Sequence, residues 1–150
     1  MHSIHIDLLG SRTAYYQGPK FRSRVIEYGE GAPFILMHGG GGHAETYSRN
    51  LARLGVGRRA MAPDFIWHGL SSTPAFPEGN WLKLFTDQIL ELMDLAGAER
   101  ASFEGESLGA WIAMDMGINH PDRVEKIVLN TGWGQKMPAA GADPDWAALR

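Results

Sequence analysis

One short motif constrains this chain more than any other: Gly105-Glu106-Ser107-Leu108-Gly109 has the pattern G-x-S-x-G. It lies between a predicted strand at 101–104 and a predicted helix at 109–119. A serine in so tight a strand-to-helix turn needs small residues two positions away on either side, because a side chain there would strike the adjacent backbone. The turn would lift the Ser107 hydroxyl above the sheet and place the Leu108 N–H at a helix N-terminus, where negative charge is favoured. Ser107 is therefore the candidate catalytic nucleophile.

A second glycine-rich segment, His38-Gly39-Gly40-Gly41-Gly42-His43, directly follows the apolar run 34–37. A short run that is apolar on both faces is typical of a strand buried in a parallel sheet. Acyl transfer needs two backbone N–H donors aimed at the developing oxyanion, and glycine lets the backbone approach a substrate closely. We expect Gly40 and Leu108 to supply these donors, with Gly41 as the reserve.

Apolar spacing in the rest of the chain predicts strands and helices in alternation after two early strands that pair with each other. We predict an α/β fold with a doubly wound, mainly parallel sheet and right-handed crossovers. The remaining predicted strands are 4–9, 21–28, 59–62 and the buried strand 127–129, and the remaining helices are one around 47–54 and one from the Asn80 cap to 96.

The order of four segments along the chain resembles that in the amino-terminal half of an α/β-hydrolase. These segments are the H-G-G-G loop, residues 62–71, the elbow at Ser107 and residues 120–124. The glycine loop, the elbow and the segment 129–132 further resemble the meta-cleavage-product hydrolases, which break a carbon–carbon bond in ring-opened aromatic catabolites. Three positions differ from the family pattern. Glu106 stands where some members carry Asn, Gly42 where the loop usually has Pro, and Trp67 where Gly is frequent.

The resemblance implies a serine hydrolase of small acyl or diketone substrates that needs no cofactor, with an esterase of small esters as the alternative. It also implies that the triad acid and histidine follow later strands. We therefore expect the hydrolase core to be truncated after its sixth strand, with 1–132 as its amino-terminal part and 133–150 as the start of a lid or cap. Residues 1–150 alone are then not expected to form a competent catalyst.

Other polar and aromatic residues are predicted to lie near the sheet edge at which the glycine loop and the elbow leave their strands. His38, Glu106 and Trp133 are expected to line the substrate pocket. His68 is expected to order a loop through hydrogen bonds, and Asp64 to be a structural carboxylate near it. His120 is an unsuitable base, because the predicted helix places it about 18 Å from Ser107.

Composition excludes several classes of protein. The chain has 14 Lys+Arg, 17 Asp+Glu and no cysteine, so disulfides and thiolate metal sites are impossible and a cytoplasmic location is expected. The net charge of −3 gives no basic surface for nucleic acid or an anionic membrane. No His, Asp and Glu spacing predicts a metal site. The expected partners are a small-molecule substrate and a second copy of the chain, which would associate through the sheet edge at 127–129.

Two other functions compete with the hydrolase. Gly39-x-Gly41-x-x-Ala44, with Asp64 twenty residues further on, satisfies a weak dinucleotide-binding fingerprint. That interpretation requires the strand at 34–37 to open the fold, whereas two predicted strands precede it, and it leaves the elbow unexplained. The other alternative is a non-catalytic interaction module that uses the exposed sheet edge.

Overall fold

Six strands form one mixed sheet in the order β1-β2-β4-β3-β5-β6. The computed structural model describes residues 3–132. β1 pairs antiparallel with β2, β2 pairs antiparallel with β4, and β4, β3, β5 and β6 run parallel. The strands are β1 (Arg12–Gln17), β2 (Arg22–Tyr28), β3 (Ala32–Met37), β4 (Arg58–Pro63), β5 (Ala101–Glu106) and β6 (Val124–Asn130).

Both faces of the sheet carry a hydrophobic core. On β3, Ile35 and Met37 join the cluster formed with the long helices, and Leu36 joins a second cluster on the other face. All three side chains are completely buried. The doubly wound prediction is confirmed, and it follows from a strand that is apolar on both sides. The helices are α1 (Ile4–Asp7), α2 (Ser48–Leu54), α3 (Trp81–Leu95) and α4 (Leu108–Asn119), with 3₁₀ helices at Ala44–Tyr47 and Pro121–Arg123.

α3 begins and ends as its sequence predicts. The Asn80 side chain accepts a hydrogen bond from the Lys83 N–H at 3.3 Å, which caps the helix. Gly97 follows the helix with a φ of 70°, a left-handed conformation that glycine adopts without strain. No helix within residues 3–132 is long and apolar enough to cross a membrane.

The amino terminus differs from the prediction. Residues Ile4–Asp7 form a short helix, and the strand that pairs with β2 is Arg12–Gln17. The alternating apolar residues of 4–9 are typical of a strand, but Ile4 and Ile6 remain exposed in the helix. β1 was missed because it is an edge strand with mostly polar, exposed residues, so it carries little hydrophobic signal.

The last strand is also less buried than predicted. β6 pairs with β5 on one side only and lies at the end of the sheet. Val128 and Leu129 are 54% and 47% exposed, so the prediction of a buried strand is wrong for the described residues. Such an edge presents unpaired backbone groups and apolar side chains to solvent.

Candidate active site

Ser107 occupies a strained turn between β5 and α4. Its φ of 52° and ψ of −108° lie in a region that residues other than glycine rarely adopt. A Cβ on Gly105 would overlap the Gly109 carbonyl, and a Cβ on Gly109 would overlap the Met37 carbonyl. Both glycines are therefore required by close backbone approach, as the sequence predicts. The Ser107 N–H donates to the Asn130 carbonyl at 3.1 Å, which ties the turn to β6.

The glycine loop leaves β3 beside this turn because Met37 pairs with Gly105 in the sheet. The Gly42 N–H donates to the Gly39 carbonyl at 2.9 Å, which closes a tight turn. Within residues 3–132, the N–H groups of Gly40, Gly41 and Leu108 have no protein acceptor. Gly40 lies near the Leu108 side chain, which an added Cβ would meet at 3.9 Å. The structure thus places Gly40 beside Leu108, with Gly41 next along the loop, and the role of the three N–H groups toward an oxyanion stays a prediction.

His38 lies beneath the glycine loop and is completely buried. One ring nitrogen, Nδ1, donates to the Gly39 carbonyl at 2.7 Å, and Nε2 accepts from the Phe65 N–H at 3.1 Å. Burial lowers the pKa of His38 to about 4, so the ring is neutral at neutral pH. Its position is that of a residue that orders the loop, and its contact with substrate stays a prediction.

His68 approaches the same loop from the segment after β4. Its Nε2 lies 2.8 Å from the Gly40 carbonyl oxygen, and its Nδ1 lies 2.8 Å from the Ile66 carbonyl oxygen. The preceding residue, Trp67, has a φ of 62°. This left-handed conformation explains why glycine is frequent at that position in the resembling family. The predicted loop-ordering role of His68 agrees with these contacts.

A buried carboxylate anchors both loops. Asp64 is completely buried, and it accepts hydrogen bonds from the Ala44 N–H at 2.7 Å and from the Leu70 N–H at 2.8 Å. Arg24 lies 3.2 Å from it and also pairs with Glu45 at 2.5 Å. The predicted structural role of Asp64 agrees with this geometry.

Three side chains in and beside this anchor are placed as the ligands of a metal ion could be. His43, Glu45 and Asp64 place one possible ligand atom each within 4.8 Å of the others. Arg24 already pairs with both carboxylates, and its hydrogen bond lowers the pKa of Glu45 to about 2. The arrangement is therefore an ion-pair network built around a guanidinium group, which a cation would have to displace.

Glu106 lies at the mouth of the site. Its carboxylate contacts Gly39, where an added Cβ would overlap it, and it lies 3.3 Å from the Thr131 hydroxyl oxygen, which also donates to the Asn130 carbonyl at 2.8 Å. Thr131, like Ser107, has a positive φ of 52°. A negative charge thus stands next to the candidate nucleophile, and pocket contact by Glu106 stays a prediction.

Sequence reasoning missed a half-buried acid below the glycine loop. The Tyr47 hydroxyl lies 2.9 Å from the Met37 carbonyl oxygen and also contacts the Glu104 carboxyl group. Burial raises the pKa of Glu104. Because the tyrosine has a single hydroxyl hydrogen, it can donate to only one of these two oxygens at a time. The unusual polarity of β5 was visible in the sequence, but the partner was not.

An aromatic surface extends from Trp67 to α4. The Trp67 ring lies 5.2 Å from Phe76 and 5.4 Å from Phe85 between centroids, and Trp81 stacks on Trp111 at 6.2 Å. Trp111 lies one helical turn after Ser107, so these rings flank the candidate site. Trp133, the tryptophan predicted to line the pocket, lies outside the described residues.

The histidines of residues 3–132 form no hydrogen bond with the Ser107 hydroxyl. His120 ends α4, so it lies at the opposite end of the helix from Ser107. That the triad acid and histidine lie beyond residues 1–150 stays a prediction.

Comparison with known proteins supports the same family. A family model described as alpha/beta hydrolase fold matches residues 32–150. The chain is 30% identical over 129 residues to a 2-hydroxymuconate semialdehyde hydrolase of Pseudomonas sp. strain CF600, covering 83% of this chain and 45% of that protein. It is 31% identical to a (lyso)-N-acylphosphatidylethanolamine lipase of Bos taurus, covering 84% and 35%.

Solved structures have the same fold. A serine hydrolase from the polyaromatic-hydrocarbon-degrading bacterium Cycloclasticus zankles superposes with a TM-score of 0.78 at 26% identity, covering 86% of this chain and 48% of that one. The chain thus spans about half the length of this structure and of the 2-hydroxymuconate semialdehyde hydrolase named above. Sheet order, elbow and family model agree, and the chain belongs to the α/β-hydrolase fold family.

Proposed function

We propose that the protein containing this chain is a serine hydrolase in which Ser107 attacks the carbonyl carbon of a small substrate. The observation that carries the proposal is the positive φ of Ser107, held between Gly105 and Gly109. A serine would not be kept in so unfavourable a conformation for packing alone, and strained residues of this kind concentrate at active sites.

The expected chemistry follows from the groups around Ser107. As its oxygen bonds to the carbonyl carbon, its proton passes to a base that lies outside residues 3–132. The carbonyl electron pair moves onto the oxygen, which accepts hydrogen bonds from Gly40 and Leu108, with Gly41 in reserve. One such donor contributes roughly 10²- to 10³-fold to kcat. The positive end of the α4 dipole adds to this stabilisation.

We further propose that the substrate is a ring-opened diketone acid and that a carbon–carbon bond is broken. Collapse of the tetrahedral intermediate would transfer the bonding pair to a conjugated carbon leaving group, which is then protonated. Water would hydrolyse the remaining acyl-enzyme. Support comes from the similarity to 2-hydroxymuconate semialdehyde hydrolases. No cofactor is needed for these steps, and the cytoplasmic location stays a prediction.

The second candidate is an esterase of small neutral esters. It is favoured by the Glu106 carboxylate, which contacts Gly39 beside the nucleophile and would repel an acidic substrate. The lipase among the relatives also acts on an acyl compound, as its name states. A panel of diketone acids and neutral esters, tested on the complete protein, separates the two candidates.

Covalent labelling tests the nucleophile. The complete protein should react with a fluorophosphonate probe, and Ser107→Ala should abolish the labelling while leaving the circular dichroism spectrum unchanged. Ser3→Ala is the matched control, because Ser3 precedes α1 without a side-chain hydrogen bond. Labelling that persists in Ser107→Ala would overturn the assignment.

A further inference from the structure

Two histidines hold consecutive carbonyl groups of the glycine loop. His38 donates from Nδ1 to the Gly39 carbonyl at 2.7 Å, and His68 Nε2 lies 2.8 Å from the Gly40 carbonyl oxygen. The rings approach from different segments, one at the end of β3 and the other after β4. The loop is thus held between them.

The planarity of the peptide group turns these contacts into control over N–H direction. In a trans peptide the C=O of one residue and the N–H of the next point in opposite directions. Fixing the Gly39 carbonyl therefore directs the Gly40 N–H, and fixing the Gly40 carbonyl directs the Gly41 N–H.

Steric contacts do not fix these peptides. A Cβ on Gly41 would meet nothing within 4 Å, and one on Gly40 would meet only the Leu108 side chain at 3.9 and 4.0 Å. Glycines in open space have wide φ and ψ freedom. Hydrogen bonds to the carbonyl oxygens are therefore the main restraint on the direction of the two N–H groups.

The two carbonyls are not equally restrained. The Gly39 oxygen accepts both from His38 and from the Gly42 N–H at 2.9 Å, so it has two partners. Within residues 3–132, the Gly40 oxygen has His68 as its single hydrogen-bond partner. Loss of His68 would leave the peptide between Gly40 and Gly41 free to rotate.

His68 is itself well placed to act as this restraint. Its Nδ1 lies 2.8 Å from the Ile66 carbonyl oxygen. Its ring packs between His38 at 5.1 Å and Phe85 at 6.4 Å, measured between centroids. The ring is therefore held by its packing while Nε2 reaches the loop. Since a neutral imidazole carries one N–H, the hydrogen bond to Gly40 requires that hydrogen on Nε2.

We propose that His68 is a positioning residue for the oxyanion hole. By holding the Gly40 carbonyl turned away from the oxyanion, it presents the Gly41 N–H as a donor in addition to those of Gly40 and Leu108. The inference rests on the proposed function of Ser107 and extends it to a third donor. Without His68, rotation of the peptide would expose a carbonyl oxygen to the oxyanion and would oppose the transition state.

Three substitutions in the complete protein test the proposal. His68→Ala removes both contacts, His68→Asn offers a donor only at the Nδ1 position toward Ile66, and His68→Gln offers one only at the Nε2 position toward Gly40. We expect kcat to fall about 10- to 100-fold in the Ala and Asn variants with KM nearly unchanged, and to recover in the Gln variant. His120→Ala, at the far end of α4, is the histidine control.

A spectroscopic readout makes the test independent of turnover. The ¹⁵N resonance of Gly41 reports on the hydrogen bond accepted by the Gly40 carbonyl. It should shift in His68→Asn and return toward its original position in His68→Gln. His68→Asn keeps a polar contact with the Ile66 carbonyl, and the circular dichroism spectrum checks that each variant is folded before its resonance is compared.

The outcomes separate this inference from the proposed function. An unchanged kcat and Gly41 resonance in His68→Asn, or a Gln variant no better than Asn, would overturn the role of His68 while Ser107 stayed essential. Persistent labelling of Ser107→Ala would instead overturn the nucleophile, and with it the role of His68 in an oxyanion hole.

Discussion

The backbone of Gly109 lies directly against the carbonyl group of Met37, so the first turn of α4 touches the end of β3. No side chain fits between them. This contact brings the helix that begins after Ser107 onto the strand that leads into the glycine loop, and the separation of the two halves of the candidate site depends on it.

Gly109→Ala should strongly destabilise the fold. Its methyl group would overlap the Met37 carbonyl, and the helix would have to move, at a cost of about 2–3 kcal/mol in the free energy of unfolding. Gly41→Ala is the control, because its methyl group would meet nothing within 4 Å. Urea unfolding should give a lower midpoint for Gly109→Ala only, and equal midpoints would contradict the close contact.

Asp64→Ala should also destabilise the protein. The substitution removes acceptors from the Ala44 and Leu70 N–H groups and leaves Arg24 with Glu45 as its one remaining carboxylate among the described residues. Breaking a buried ion pair in this way typically costs about 3–5 kcal/mol. Thermal unfolding should show a large decrease for Asp64→Ala and almost none for the exposed control Asp122→Ala.

Stability should fall as the pH decreases from about 6.5 to 4, because burial lowers the pKa of His38 from its usual 6.5 to about 4. In this interval the unfolded chain binds a proton at His38 and the folded chain does not. The unfolded state is therefore favoured by acid, by about 3 kcal/mol over the full interval.

His38→Gln tests this assignment, since the amide can donate and accept but does not titrate. Its stability curve should be flatter than that of the unmodified protein above pH 4.5. The contribution of Glu45, whose pKa the Arg24 hydrogen bond lowers to about 2, is lost only between about pH 4.5 and 2. Parallel curves for the two proteins between pH 6.5 and 4.5 would argue against a neutral, buried His38.

Two substitutions that truncate Trp67 should together reveal the free-energy cost of its positive φ. Both Trp67→Gly and Trp67→Ala lose the packing on Phe76 and Phe85 and the Nε1–H donation to the Pro74 carbonyl at 2.7 Å. Only the glycine variant relieves the left-handed backbone. Trp67→Gly should therefore be the more stable of the two by about 1 kcal/mol, as measured by chemical denaturation. The opposite order would exclude backbone strain at this position.

Glu106→Gln should alter the preference of the complete protein for charged substrates. Removing the negative charge beside Gly39 and Ser107 should increase kcat/KM for diketone acids more than for neutral esters. The difference should shrink at high salt, which screens exposed charges. Equal effects on both substrate types would show that the carboxylate acts through shape or hydrogen bonding.

The parts of the fold that sequence predicted are those with local signals. β3 is apolar on both faces, α3 has an apolar stripe between Asn80 and Gly97, and the turn at Ser107 carries its glycines at fixed spacing. β1 was missed because its residues are polar and exposed, and 4–9 were misassigned because apolar alternation does not distinguish a strand from an exposed short helix.

The candidate site was predictable only in part, for a physical reason. Ser107, Gly40 and Leu108 follow from backbone requirements that are local in sequence. The bonds from His68 to Gly40 and from Ala44 to Asp64 join segments 28 and 20 residues apart, so only the folded chain determines them. The contact between Tyr47 and Glu104 joins segments 57 residues apart in the same way.

The pairing of Met37 with Gly105 limits how the length of this chain can change. Gly39 and Ser107 each lie two residues beyond that pair, so the loop and the turn leave the sheet at the same level. One residue inserted before Gly40 would move the donors by about 3.3 Å relative to the serine, more than the tolerance of a hydrogen bond. The segment 77–79, which lies between the anchored residues that follow Asp64 and the Asn80 cap, carries no proposed donor or nucleophile. Insertions that adapt the protein to a new substrate can therefore be accommodated there, while the glycine loop must keep its length.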